Sequence, residues 1–294
     1  MTGVDSVGDI VRYERPSGRR GGPSDLPDVH TTRLLSTVNR ELAGIRIPVE
    51  LCDKSEWPTH PSRFGDLPDN SVLLGINLDG YRTFVALPDS PDLDVRRAAS
   101  VVREWAELAA MFDHTDLGAL VVARAHGDMR PVPGGRNEPL AAFTHPVNNV
   151  VYLNPAYVLR SHADAWERHD RVSEARGEFA QTFRLKVLGV VSHEAFHLVH
   201  RQLESTSPST SAWFTQQLGD RFFGEGTDLN AVWVDHGAPA PDSDRRFATV
   251  RHNVSTYATV GLAELAAELF RGWRGEGLRA DKTWFGTVLD QIRS

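Results

Sequence analysis

Hydrophobic and polar positions follow two rhythms along this chain. Spacings of three and four join Leu34, Leu35, Val38 and Leu42, which predicts a helix over about 31–43. Short apolar runs follow at Ile45 to Leu51, Ser71 to Leu78 and Tyr81 to Leu87, each expected as a strand. Asp79-Gly80 separates the last two and signals a hairpin. The helical rhythm returns over 93–113 through Ala98, Val101, Val102, Trp105, Leu108 and Ala109. Three more strands are expected at Leu117 to Ala125, Leu140 to Thr144 and Asn149 to Leu153. A second long helical stretch covers about 176–204, and shorter helices are expected near 260–273 and 281–292. Ser, Thr, Pro, Gly and Asp clusters make 205–250 read as mostly loop, a rim or lid over any neighbouring cleft.

This pattern divides the chain into three parts. Residues 1–29 read as a flexible leader rich in Gly, Pro, Ser and charge. Residues 30–90 read as a small α+β region of unknown role, and 91–294 as the main domain, with a boundary in the polar stretch Asp89 to Asp94. The expected class is α+β.

Composition narrows the field. The chain has 294 residues, 40% hydrophobic and 24% charged, which excludes wholesale disorder and fibrous classes. No apolar run approaches the roughly 18 residues of a membrane helix, so no membrane span is expected. The net charge of -7 argues against nucleic acid as the main partner. Cys52 is the lone cysteine, so neither an intrachain disulfide nor a cysteine zinc cluster can form. With no apolar signal core at the start, the cytoplasm is the default compartment; export by a non-standard route leaves no such trace. The tryptophans at 105, 213, 233 and 273 read as packing residues.

The second long helix contains His193-Glu194-Ala195-Phe196-His197. Four-residue spacing puts both imidazoles on one helical face, one turn apart. Such a pair supplies half of a tetrahedral zinc site, and Glu194 stands beside it as a base for water acidified by the metal. The motif lies in an apolar stretch, Val187 to Val199, where two histidines and a glutamate need a partner to offset desolvation. A third histidine ten residues after the first is excluded, because that position is Leu203. The other solution is a glutamate on a later helix. Glu264 and Glu268 share one face of the apolar run from Leu262 to Phe270. Either a ligand or a carboxylate receiving a histidine N–H gives them a reason to be there.

Ser255-Thr256-Tyr257-Ala258, then Glu264, then Ala267-Glu268 resembles the second motif of the anthrax lethal factor-like zinc metallopeptidases. These gluzincins pair HExxH with Tyr-x6-Glu-x2-Ala-Glu. The resemblance covers roughly residues 95–275 and leaves 1–90 outside. It implies a zincin-like catalytic domain with a small sheet packed on the motif helix. It implies one Zn2+ per chain, held by His193, His197 and Glu264. It further implies Glu194 as the base, Tyr257 as a hydrogen-bond donor to the oxyanion, and Glu268 as the group orienting a zinc-binding histidine. Three positions depart from the family pattern: Phe196 for a small residue, Gly261 for Asn, and Ala266 for Phe. They bear on substrate class and leave the reacting groups in place.

Other residues complete the expectations. His200 shares the face of His193 and His197 seven residues after the first and reads as a surface histidine or one behind the ligands, with a place lining the cleft as the alternative. His236 and His252 are rival ligands from the loop region; His114, His126, His145, His162 and His169 lack ligand spacing. Asn149, Val150, Val151 and Tyr152 are expected on an open edge strand that a peptide substrate could extend. The expected function is therefore a zinc peptidase acting on a peptide or protein. A zinc hydrolase of a non-peptide amide or of one modified peptide, and an inert zinc-containing interaction module, stay open as alternatives.

Overall fold

The structure is a computed structural model that describes residues 29–58, 67–113, 115–125, 129, 140–145, 147–182, 185–233, 239–277 and 281–293. The leader expected over 1–29 lies almost wholly outside the described residues. The class is α+β, with a single six-stranded sheet among the described residues.

The described residues open with helix α1 (Val29–Leu42), which buries Leu34, Val38 and Leu42. Strand β1 (Val49–Leu51) follows, shorter than expected because a turn through Arg46, at φ 56°, occupies the start of that run. Strands β2 (Ser71–Leu78) and β3 (Tyr81–Pro88) form the expected hairpin, paired from Ser71 with Pro88 to Leu78 with Tyr81. Its turn ends on Gly80 at φ 97°, a backbone region that glycine enters without a Cβ clash. Helix α2 (Val95–Met111) is capped by Asp94, whose carboxylate accepts from the amides of Arg96 and Arg97. The remaining strands are β4 (Ala119–Val122), β5 (Ala142–Thr144) and β6 (Val150–Leu153).

The strand order is β1-β2-β3-β4-β6-β5. β3, β4 and β6 run parallel, and the outer pairs are antiparallel. The strands of 30–90 thus continue directly into those of the main domain. One hydrophobic cluster runs from Leu34 to Ile292. A smaller one, with Leu73, Phe84, Val121 and Val150, covers the opposite sheet face.

The helical half differs from expectation in three places, the first being a helix over Ala163–Ala175 that the spacing does not predict. The stretch 176–204 is not one helix. Helix α3 (Ala163–Ala175) ends before it, and helix α4 (Lys186–Thr206) begins only at Lys186. The region 205–250 is not mostly loop. It contains α5 (Pro208–Phe222), α6 (Leu229–Val232) and α7 (Ala248–Asn253). Pro208 sits in the first turn of α5, where its missing N–H costs nothing, so a residue read as a loop signal starts a helix. Helices α8 (Leu262–Arg274) and α9 (Lys282–Arg293) close the chain near their expected places.

Candidate metal centre

The middle of α4 is core on most of its circumference: Val187, Val191, Ala195, Phe196, Leu198 and Val199 are all buried. The remaining face carries His193 and His197. Phe196, which departs from the resembled pattern, points away from them. It stacks on Phe270 of α8 at 4.7 Å and meets Phe112 and Phe214 edge-on at 6.2 and 6.1 Å. That packing fixes α8 along α4. Glu264, in the first turn of α8, is thereby brought to the two imidazoles.

Three atoms converge there. Glu264 Oε2 lies 3.0 Å from His193 Nε2 and 3.5 Å from His197 Nε2, and the two ring nitrogens are 3.1 Å apart. Ligands placed ~2.0–2.1 Å from a tetrahedral zinc ion stand about 3.3 Å from one another. The triad therefore has the dimensions of one tetrahedral face. Its donor chemistry agrees. His193 Nδ1 lies 2.9 Å from Glu268 Oε1, so donation of its N–H there leaves a lone pair on Nε2 facing the triad. Glu264 Oε2 is buried, and its polar neighbours are the two ring nitrogens, which donate to it only where they carry a proton. A single proton relieves one of these close contacts, whereas a divalent cation relieves all three. His193, His197 and Glu264 are also a group with ligand atoms close enough to hold one ion. The residues fit zinc.

The electrostatics follow from burial and neighbours. Burial pushes the His193 imidazole down, but Glu264 and Glu268 outweigh it and carry it up to about 10. Burial raises the Glu264 carboxyl, yet the two imidazoles hold it well below the ordinary range. Glu268 is fully buried. Burial again works against its charge, and Arg271 and His193 keep it below the usual value.

Glu194 is held from the sheet. The Thr144 hydroxyl on β5 lies 2.8 Å from both the carboxylate Oε2 and the main-chain carbonyl of Glu194. Tyr257 begins a short 3-10 turn just before α8. Its ring centroid is 5.9 Å from that of His193 and 5.2 Å from that of Phe179. Tyr257 thus stands beside the triad, as the spacing to Glu264 requires.

Other expected residues fall elsewhere. His200 is buried against Phe214, at 5.7 Å between ring centroids, and is not part of the converging group. Its Nε2 has no hydrogen-bond partner among the described residues, and burial lowers its basicity. His252 is exposed on α7, and His236, His114 and His126 lie outside the described residues.

The expected substrate edge needs correcting. Asn149, Val150, Val151 and Tyr152 are not on an open edge, because β6 is paired on both sides, to β4 and to β5. Asn149 is engaged as well: its carbonyl accepts from Ala119 N, and its side-chain oxygen from Arg201. The edge nearest the triad is β5. Arg201, two turns along α4 from His193, fastens the turn between β5 and β6. It donates to the carbonyls of His145 and Asn148 at 2.6 and 3.0 Å.

Thr144 and Arg201 were not legible as site residues, since each acts across some fifty positions of sequence. Arg271 carried a fainter signal, standing three places after Glu268 on the same helix face. Comparison of the chain with protein-family models, with curated proteins and with solved structures gave no match in any of the three.

Proposed function

We propose that this chain is a zinc-dependent peptidase with a zincin-like arrangement, as its resemblance to the lethal factor-like metallopeptidases implies. The observation that carries the reading is the convergence of His193 Nε2, His197 Nε2 and Glu264 Oε2 on one point of α4 and α8. These three residues would hold one zinc ion, which when bound supplies a Lewis acid that acidifies water and polarises a carbonyl. Glu194 takes the proton of the attacking water and passes it to the leaving amine. The Thr144 hydroxyl steadies that carboxylate. The Tyr257 phenol donates to the carbonyl oxygen as negative charge builds on it.

The substrate enters as an extended peptide beside β5, which ends the strand order among the described residues. Main-chain hydrogen bonds give it hold, and side-chain pockets give selectivity. Because Thr144 lies on β5, the strand that receives the peptide also positions the base.

The test is a pair of measurements on the full chain. Wild type and Glu194→Gln should each carry about one zinc per chain by elemental analysis. Only wild type should cleave a mixed peptide library. Normal cleavage by Glu194→Gln removes the mechanism, and loss of its zinc removes the assigned roles.

A further inference from the structure

Beneath the triad lies a set of buried charges that the proposed chemistry does not use. Glu268 has both oxygens engaged. Oε1 faces His193 Nδ1 at 2.9 Å and Arg271 Nη1 at 3.8 Å, and Oε2 accepts from Ala180 N at 2.5 Å. Arg271 then turns to α3, where Nη2 donates to Glu174 Oε1 at 3.1 Å. Glu174 Oε2 in turn accepts from Lys186 Nζ, at the first residue of α4. The series starts at His193, passes through α8 and α3, and returns to α4 two turns upstream of where it began.

The set is almost sealed from water. The side chains of Glu268, Arg271, Glu174 and Lys186 are 0, 5, 4 and 7% exposed. Within this set two carboxylates face two cations, and Asp170, also buried, adds a third carboxylate whose charge acts on Arg271. The backbone makes room for them. A Cβ at Gly189 of α4 would come 2.9 Å from Thr182 Cγ2 and 3.3 Å from Arg271 Nε. The guanidinium also lies over the Phe179 ring at 5.0 Å, and that ring packs on Tyr257. Four buried charges are a poor route to stability, since apolar side chains of similar volume often do as well. Their geometry serves the triad instead. Arg271 and His193 face the same oxygen of Glu268; at 3.8 Å the guanidinium draws that oxygen by charge rather than by a hydrogen bond, while Ala180 N–H holds the other oxygen.

Resting on the reading of His193, His197 and Glu264 as a metal centre, we propose that Arg271 is a positioning residue for metal binding: anchored by Glu174 and Lys186, it holds Glu268 against His193 and thereby sets the site's affinity for a divalent cation. Partners of this kind typically change metal affinity by about 10–100-fold when removed.

The experiment is a Zn2+ titration of metal-free full chain against a competing chelator, with thermal unfolding of the same metal-free samples. Arg271→Met should bind Zn2+ about 10–100-fold more weakly than wild type. Arg271→Lys, which keeps a cation beside Glu268, should recover most of that loss. Glu174→Gln, which keeps the shape and loosens the anchor, should weaken binding by more than about threefold and stands in if Arg271→Met does not fold. Co2+ bound to Glu174→Gln should show an altered visible spectrum, since the orientation of one ligand has changed. Wild-type affinity in variants that merely unfold at lower temperature makes the charge set purely structural and overturns this inference alone. A wild-type chain that takes up no Zn2+ overturns the metal centre and this inference together.

Discussion

A buried imidazole between two carboxylates keeps its proton far above neutrality, and His193 is such a group, raised to about 10 in the metal-free protein. Its value in an unfolded chain is about 6.5. The folded value is the higher one, so the proton contributes stability that is fully present below about pH 6.5 and is lost as pH rises toward 10. A zinc ion bound as proposed would compete for the same nitrogen. Its affinity should therefore rise by about tenfold for each unit of pH across this window. Chelator competition between about pH 6.5 and about 8.5 checks this. A flat profile removes the protonated imidazole from the account.

At the scale of elements, the site is a product of how α4 and α8 pack. Phe196 stacks on Phe270 and meets Phe112 and Phe214, so it joins α2, α5 and α8 to the motif helix. Phe196→Ala should cost about 3–5 kcal/mol in denaturant unfolding, as for a large aromatic removed from a core. A loss of turnover without loss of stability would instead place Phe196 in the substrate pocket. The motif helix, α8 and the β2–β3 hairpin were legible in sequence because their apolar spacing is strong and local. Helix α3 was not, because its inward face includes Glu167, Asp170 and Glu174, charges that normally mark a solvated face. Helix α5 was hidden by its Ser207-Pro208 start, a pair that reads as a turn. Sequence alone places the open edge on β6 rather than β5, because strand order is set by pairing between distant segments, which periodicity cannot report.

For the whole molecule, the sheet is the integrating unit. β3 pairs with β4 through Phe84 with Ala119 and Ala86 with Val121, across the polar stretch that looked like a boundary. α1 packs on α2 within the same core. A fragment of residues 91–294 should accordingly lack a cooperative unfolding transition, because it exposes the β4 edge and the apolar face of α2. The full chain should unfold in one step by both far-ultraviolet dichroism and tryptophan fluorescence. A fragment that unfolds cooperatively and keeps its zinc would make the first ninety residues an appendage.

The proposed ligands sit on two helices separated by the whole run from His197 to Glu264. An ion gripped by both acts as a removable clasp on that intervening segment, shrinking the freedom of the unfolded chain much as a covalent bridge would. Removing such an ion would lower the resistance of the whole chain to unfolding while the aromatic packing of α5 on α4 persists, so chelation should lower the unfolding temperature without exposing α5 in the folded state.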